Sequence, residues 1–143
     1  MPALTRWHIK TAFIYLTAAL LLGVALAFGR VVPLPSWIAY LSPIYFHLIM
    51  VGWVTQMIFG VIFWMFPIVT RKRPRGNERL GWAVYVLLNA GLLMRVAAEP
   101  LNSLSPGDLW GWGLVVSALL QWLAAVLFVW NAWPRVKDRY RGE

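Results

Sequence analysis

Apolar residues run through this chain in four long blocks, separated by short clusters of proline, glycine and charge. The blocks cover about residues 9–28, 44–69, 80–98 and 109–133. Each is close to the roughly 20 apolar residues that cross a hydrocarbon core near 30 Å thick, at about 1.5 Å of rise per helical residue. The joints carry stop signals: Gly29, Pro33, Pro35 and Pro43 in the first, Pro67, Pro74 and Gly76 in the second, Pro100, Pro106 and Gly107 in the third. Pro134 closes the last block. Pro43 suits a helix start, where the first turn leaves its N–H unused, and Ser42 is the expected cap. The pattern predicts an all-α fold: a four-helix transmembrane bundle forming a single domain over residues 1–143.

The first block also has the marks of a leader segment, with a basic start, an apolar centre and the triplet Ala25-Leu26-Ala27. We count it as a retained helix. Composition agrees with a bundle in lipid: 61% of residues are hydrophobic and 13% charged, and the mean hydropathy is +0.67. A soluble domain of 143 residues could not bury so much apolar surface. There is no cysteine, which excludes disulfides, zinc–thiolate sites and cysteine-held iron–sulfur clusters.

The net charge of +8 changes the picture once it is placed. Arg6 and Lys10 lie at the start, Arg71, Lys72, Arg73, Arg75 and Arg79 in the middle joint, and Arg135, Lys137, Arg139 and Arg141 at the end. Only Arg30 and Arg95 lie towards the other side. Basic residues collect on the cytoplasmic side, so both termini are expected there, in the inner (cytoplasmic) membrane. The basic runs are read as orientation signals and contacts to lipid headgroups, and nucleic acid is not an expected partner. Trp7, Trp64, Trp82, Trp130 and Trp133 fall near the inner interface and Trp37, Trp110 and Trp112 near the outer one, as an aromatic belt does. Trp53 and Trp122 lie near mid-membrane, as packing residues or as walls for a flat ligand.

Polar groups inside a membrane are expensive, so each needs a partner or a task. His47 lies four residues past Pro43, roughly 6 Å below the outer helix end. Its imidazole can ligate a metal or haem, relay protons, or hydrogen-bond a neighbouring helix. Arg95 lies five residues before Pro100, roughly 7 Å below the same end, so the two share a layer. Arg95 is either a snorkelling side chain paired with Glu99 at i,i+4 or a clamp for an anion such as a haem propionate. Met94 shares the layer, as a core residue or a soft ligand. Gly52 and Gly60 flank Gln56 in a stripe that permits close approach of a helix or of a flat cofactor. Asn89 and Gln121 read as interhelical hydrogen-bonding residues. His8, near the inner end, reads as an interfacial residue too far from His47 to share a cofactor with it. The chain has no intramembrane carboxylate pair, no Ser–His–Asp set, no phosphate-binding glycine loop and no histidine cluster.

The stretch Tyr45-Phe46-His47-Leu48-Ile49-Met50-Val51-Gly52-Trp53-Val54, continuing through Ile58-Phe59-Gly60-Val61 to Met65-Phe66-Pro67, resembles the second helix of the haem-copper oxidase catalytic subunit and its shorter relatives. The run Asn89-Ala90-Gly91-Leu92-Leu93-Met94-Arg95 is also similar to members of that group. The resemblance covers about 80 residues. It implies that His47, and no other residue here, ligates a haem b iron; Arg95, Met94 and Gly52 are candidates around that cofactor only by the layer and the stripe described above. The departures are large: the oxidase subunit has about twelve helices, and its second low-spin haem ligand, copper-ligand histidines and high-spin haem ligand have no counterpart here. Oxygen reduction and proton pumping are therefore not implied. One ligand per chain leaves three arrangements: a haem shared by the His47 residues of a homodimer, a His47–Met94 site, or a five-coordinate haem that binds a diatomic gas. The expected function is electron transfer or gas sensing near the outer face, rather than enzyme catalysis. The rival expectation is a cofactor-free accessory subunit of a respiratory membrane complex. A transporter ranks last, because paired carboxylates and broken mid-membrane helices are not evident.

Overall fold

The computed structural model describes residues 1–67 and 76–136. Arg71, Lys72, Arg73 and Arg75 of the basic joint, and Lys137, Arg139 and Arg141 of the tail, lie outside them. Four helices are long and apolar enough to cross a membrane. The first is α1 (Ala3–Phe28). A 3-10 turn, Ser36–Leu41, leads into the second span, built from α2 (Ser42–His47), a π-helical stretch Leu48–Thr55 and α3 (Gln56–Met65). The third and fourth spans are α4 (Glu78–Leu104) and α5 (Asp108–Ala132), the last running into a 3-10 turn at Trp133–Arg135. The spans run up, down, up and down, so both termini lie at one end of the bundle. α1 packs along the second span, and α4 packs most extensively on α5.

Helix limits depart from the expected ones where local hydrogen bonding outweighs the punctuation. α1 starts at Ala3, not near residue 9, with Pro2 as an extended N-cap. Ser42 is not a cap: the preceding 3-10 turn already takes its N–H onto Ala39 O, and Leu41 is the N-cap residue. α4 does not stop at Pro100 but runs on to Leu104. Proline withdraws one donor from the helix, here the partner of the Val96 carbonyl. The following turn is nonetheless held by Ser103 Oγ donating to Glu99 O at 3.0 Å and Ser105 N to Leu101 O at 2.9 Å. At its other end α4 is capped by Asn77, whose side-chain oxygen accepts from Arg79 N and Leu80 N. The second span has helical structure only to Met65, with Phe66 as its C-cap, and residues 68 and 69 lie outside the described residues.

The interior is built from Tyr15, Ala19, Ile44, Leu48 and Leu92 at the end away from the termini, and from Phe59, Val84, Leu88 and Ala124 nearer to them. Phe59 stacks on Phe128 with centroids 3.7 Å apart. Outward-facing positions carry large apolar side chains, among them Ile14, Leu21, Val86, Leu119, Trp122 and Trp130. A helix apolar on all sides suits a membrane span, where lipid covers the outer face. Two close approaches set the spacing. A Cβ on Gly60 would lie 2.7 Å from His8 Cβ, and one on Gly91 would lie 3.0 Å from Ser117 O. Both distances are inside van der Waals contact, so only glycine lets α1 reach the second span, and α5 reach α4, at these points.

Candidate functional site

The end of the bundle away from the termini brings His47, Arg95 and Glu99 together. His47 ends α2, and its Nδ1 lies 2.9 Å from Pro43 O one turn earlier. From α4, Arg95 Nη1 lies 3.1 Å from His47 Nε2 and 3.3 Å from Glu99 Oε1. From α5, Ser117 Oγ accepts from Arg95 Nε at 3.2 Å and donates to Gly91 O at 2.8 Å. A guanidinium nitrogen only donates, so Nε2 is the acceptor and Nδ1 carries the ring hydrogen, which it donates to Pro43 O. His47 is then neutral in this arrangement. Its 3.5 Å approach to Glu99 Oε1 is a long secondary contact of the Nδ1–H rather than an ion pair. The ion pair is Arg95–Glu99. The His47 side chain is 28% exposed and that of Glu99 only 12%, yet Glu99 Oε2 has no hydrogen-bond partner. The site thus holds an occupied imidazole lone pair and one unmet carboxylate oxygen.

Met94 is not drawn into this cluster; it is 37% exposed on the bundle surface. Gly52 does not face the site. It is buried, and a Cβ there would meet Tyr15 Cβ and Cγ at 2.8 Å and Leu92 Cδ2 at 3.0 Å. The close approach that Gly52 permits is therefore filled by side chains of α1 and α4. Hydropathy gives no sign of the π-helical stretch that contains it. There Thr55 Oγ1 donates to Met50 O, five residues back, at 2.8 Å. A π-helical turn sets a wider backbone ring than an α turn, and such turns recur at functional sites.

A second polar group lies nearer the termini. Asn89 Oδ1 accepts from Tyr15 Oη at 2.8 Å and from Gln56 Nε2 at 3.1 Å, tying α4 to α1 and α3. Thr11 and Tyr85 pair at 2.8 Å. Gln121, expected to bond between helices, instead donates within α5 to Ser117 Oγ at 3.2 Å. His8, near the inner end, is 2% exposed, because Gly60 admits its ring between α1 and the second span and Tyr85 covers it edge-on at 5.1 Å. Nothing in the hydropathy separates a buried His8 from an exposed one.

The haem expectation can be tested on the donor set. The His47 tautomer fits, because a ligating histidine donates its other N–H to a carbonyl or carboxylate and presents a lone pair to the metal. The surroundings fit less closely: Arg95 occupies that lone pair, and the space at Gly52 is taken. The bundle edge at His47 is open, with Phe46 and Met50 both exposed beside it. His47 would hold the iron there only after Arg95 turned away, towards a propionate. When bound, the haem would supply one-electron or gas-binding chemistry. Among the described residues no three His, Asp or Glu side chains cluster to hold a metal ion. No family model, curated protein or solved structure matches the chain.

Proposed function

We propose that this chain is a small haem b protein of the inner membrane, with both termini cytoplasmic and its cofactor near the outer face at the bundle edge. One observation carries the reading: His47 Nδ1 lies 2.9 Å from Pro43 O, which assigns the ring hydrogen to Nδ1 and the lone pair to Nε2. The resemblance of the Tyr45–Pro67 stretch supports it, as does the guanidinium of Arg95 beside the ring, suited to an anionic propionate. Because one chain offers a single imidazole at that edge, two copies related by a two-fold axis would each give His47 to a shared haem. The work of such a protein is electron transfer if the iron is six-coordinate, and diatomic-gas binding if it is five-coordinate. Absorption spectra of the purified protein, oxidised and reduced, test the reading. A Soret band that is lost in His47→Ala and weakened in Arg95→Ala supports it. A colourless protein after expression with ample haem overturns it.

A specific observation favours a second reading, a cofactor-free accessory subunit of a respiratory membrane complex. Arg95 already pairs with His47, Glu99 and Ser117, so the cluster stands as an internal clamp joining the second, third and fourth spans. Under this reading the protein is colourless and purifies with larger subunits.

A further inference from the structure

At the same end as His47, but on the side where α1 meets α2, the bundle opens into a groove of about 1110 Å³. Its α1 wall runs from Leu20 to Ala27, roughly 10 Å of helix at about 1.5 Å per residue. Tyr45 and Phe46 form the facing wall, and the turn through Leu34, Pro35 and Ile38 forms the rim. Gly23 keeps the groove floor flat: a Cβ there would lie 3.0 Å from Tyr45 Cε2 and push that ring outward. The α1 wall is apolar; the polar lining residues are Ser42 and Tyr45 on α2, Arg30 just past the end of α1 and Ser36 at the start of the 3-10 turn, and Arg30 is the charged one. Arg30 is the only charged residue between Lys10 and Arg71, and no carboxylate pairs with it among the described residues.

An apolar slot running down into the membrane, topped by a single unpaired cation at headgroup level, matches the chemistry of one phospholipid. We infer that this groove holds an anionic phospholipid, with an acyl chain between α1 and α2 and the headgroup phosphate on Arg30. A zwitterionic lipid fills the slot equally well but gains less from the arginine, because its headgroup carries its own cation. Basic residues at membrane surfaces draw anionic lipids in this way. The groove borders the His47 edge at Phe46 but does not depend on a haem; it rests on the membrane reading alone.

The test is lipid retention. The full chain is reconstituted in nanodiscs of equal phosphatidylglycerol and phosphatidylcholine, extracted into mild detergent, and examined by native mass spectrometry. The expected result is one phosphatidylglycerol retained per chain in preference to phosphatidylcholine. Arg30→Gln should reduce that preference about fivefold, as loss of one basic residue's attraction predicts, and Arg30→Lys should keep most of it. Ala27→Trp, which fills the slot but spares the charge, should lower retention of both lipids, with circular dichroism confirming the helices. Equal retention of the two lipids by wild type and Arg30→Gln overturns the proposal. So does a second copy of the chain retained in place of lipid. A chain that stays in solution without detergent overturns the membrane reading and the lipid site together.

Discussion

The two ends of the bundle solve the same problem differently. Near the termini, polar groups are sealed by close packing: His8 is buried against Gly60, and Arg135 donates to the carbonyls of Phe63, Phe66 and Pro67 that end the second span. At the other end, His47, Arg95, Glu99 and Ser117 link three spans by hydrogen bonds while remaining partly open, and Glu99 Oε2 is left unmet. Among the described residues, the cavity lined by His8 and Arg135 measures about 10 Å³, room for little more than a water molecule. A charged cluster at an open edge keeps donors and acceptors that can exchange partners. Stability should therefore reside at the packed end and chemistry at the open one, a division that substitutions can break.

The largest effect is expected at the packed end. Gly60→Leu would drive a branched side chain into His8 Cβ, and overpacking of this kind costs about 3 kcal/mol. Thermal unfolding of the detergent-solubilised protein, followed by circular dichroism, should show a clearly lowered midpoint. An unchanged midpoint would mean that α1 does not pack on the second span as described. At the open end, Arg95→Ala leaves the mostly buried Glu99 carboxylate without its cation, at a cost of about 2 kcal/mol, less than for a fully buried pair because water or headgroups still reach it. The double variant Arg95→Met with Glu99→Leu should recover most of that loss, since both unmatched charges are then gone. If the double variant is as unstable as the single one, the pair is not coupled.

A smaller effect is expected midway. Asn89→Ala would strip Tyr15 and Gln56 of a shared acceptor, costing about 1 kcal/mol, in the range of hydrogen bonds between membrane helices. Chemical unfolding with Tyr15→Phe as a partner variant would show whether the two losses overlap. The smallest stability change belongs to His47→Ala, about 0.5 kcal/mol, because the ring is partly exposed and its loss frees Arg95 for Glu99. The same variant should remove any Soret absorption completely. That split, near-native stability with total loss of the chromophore, would mark the open end as a site rather than a clamp. A loss of stability as large as that of Gly60→Leu would mark it as a clamp.

The residues themselves carried the main outline. Four apolar blocks, bounded by proline and glycine, require helices in a low-dielectric medium because no other element satisfies its own backbone there. The layer shared by His47 and Arg95 was legible too, since a fixed rise per residue converts distance from Pro43 and Pro100 into depth. Depth, however, says nothing about rotation around a helix. Only the packed bundle decided that Arg95 turns to His47 and Ser117, that Met94 faces outward, and that Gly52 faces Tyr15 and Leu92. It also decided that α4 passes Pro100 and carries Glu99 within its length, and that His8 is buried beneath Tyr85. Hydropathy reports whether a segment prefers lipid to water. Which face meets which neighbour is settled by where glycine permits approach and where polar groups find partners, and both belong to several helices at once.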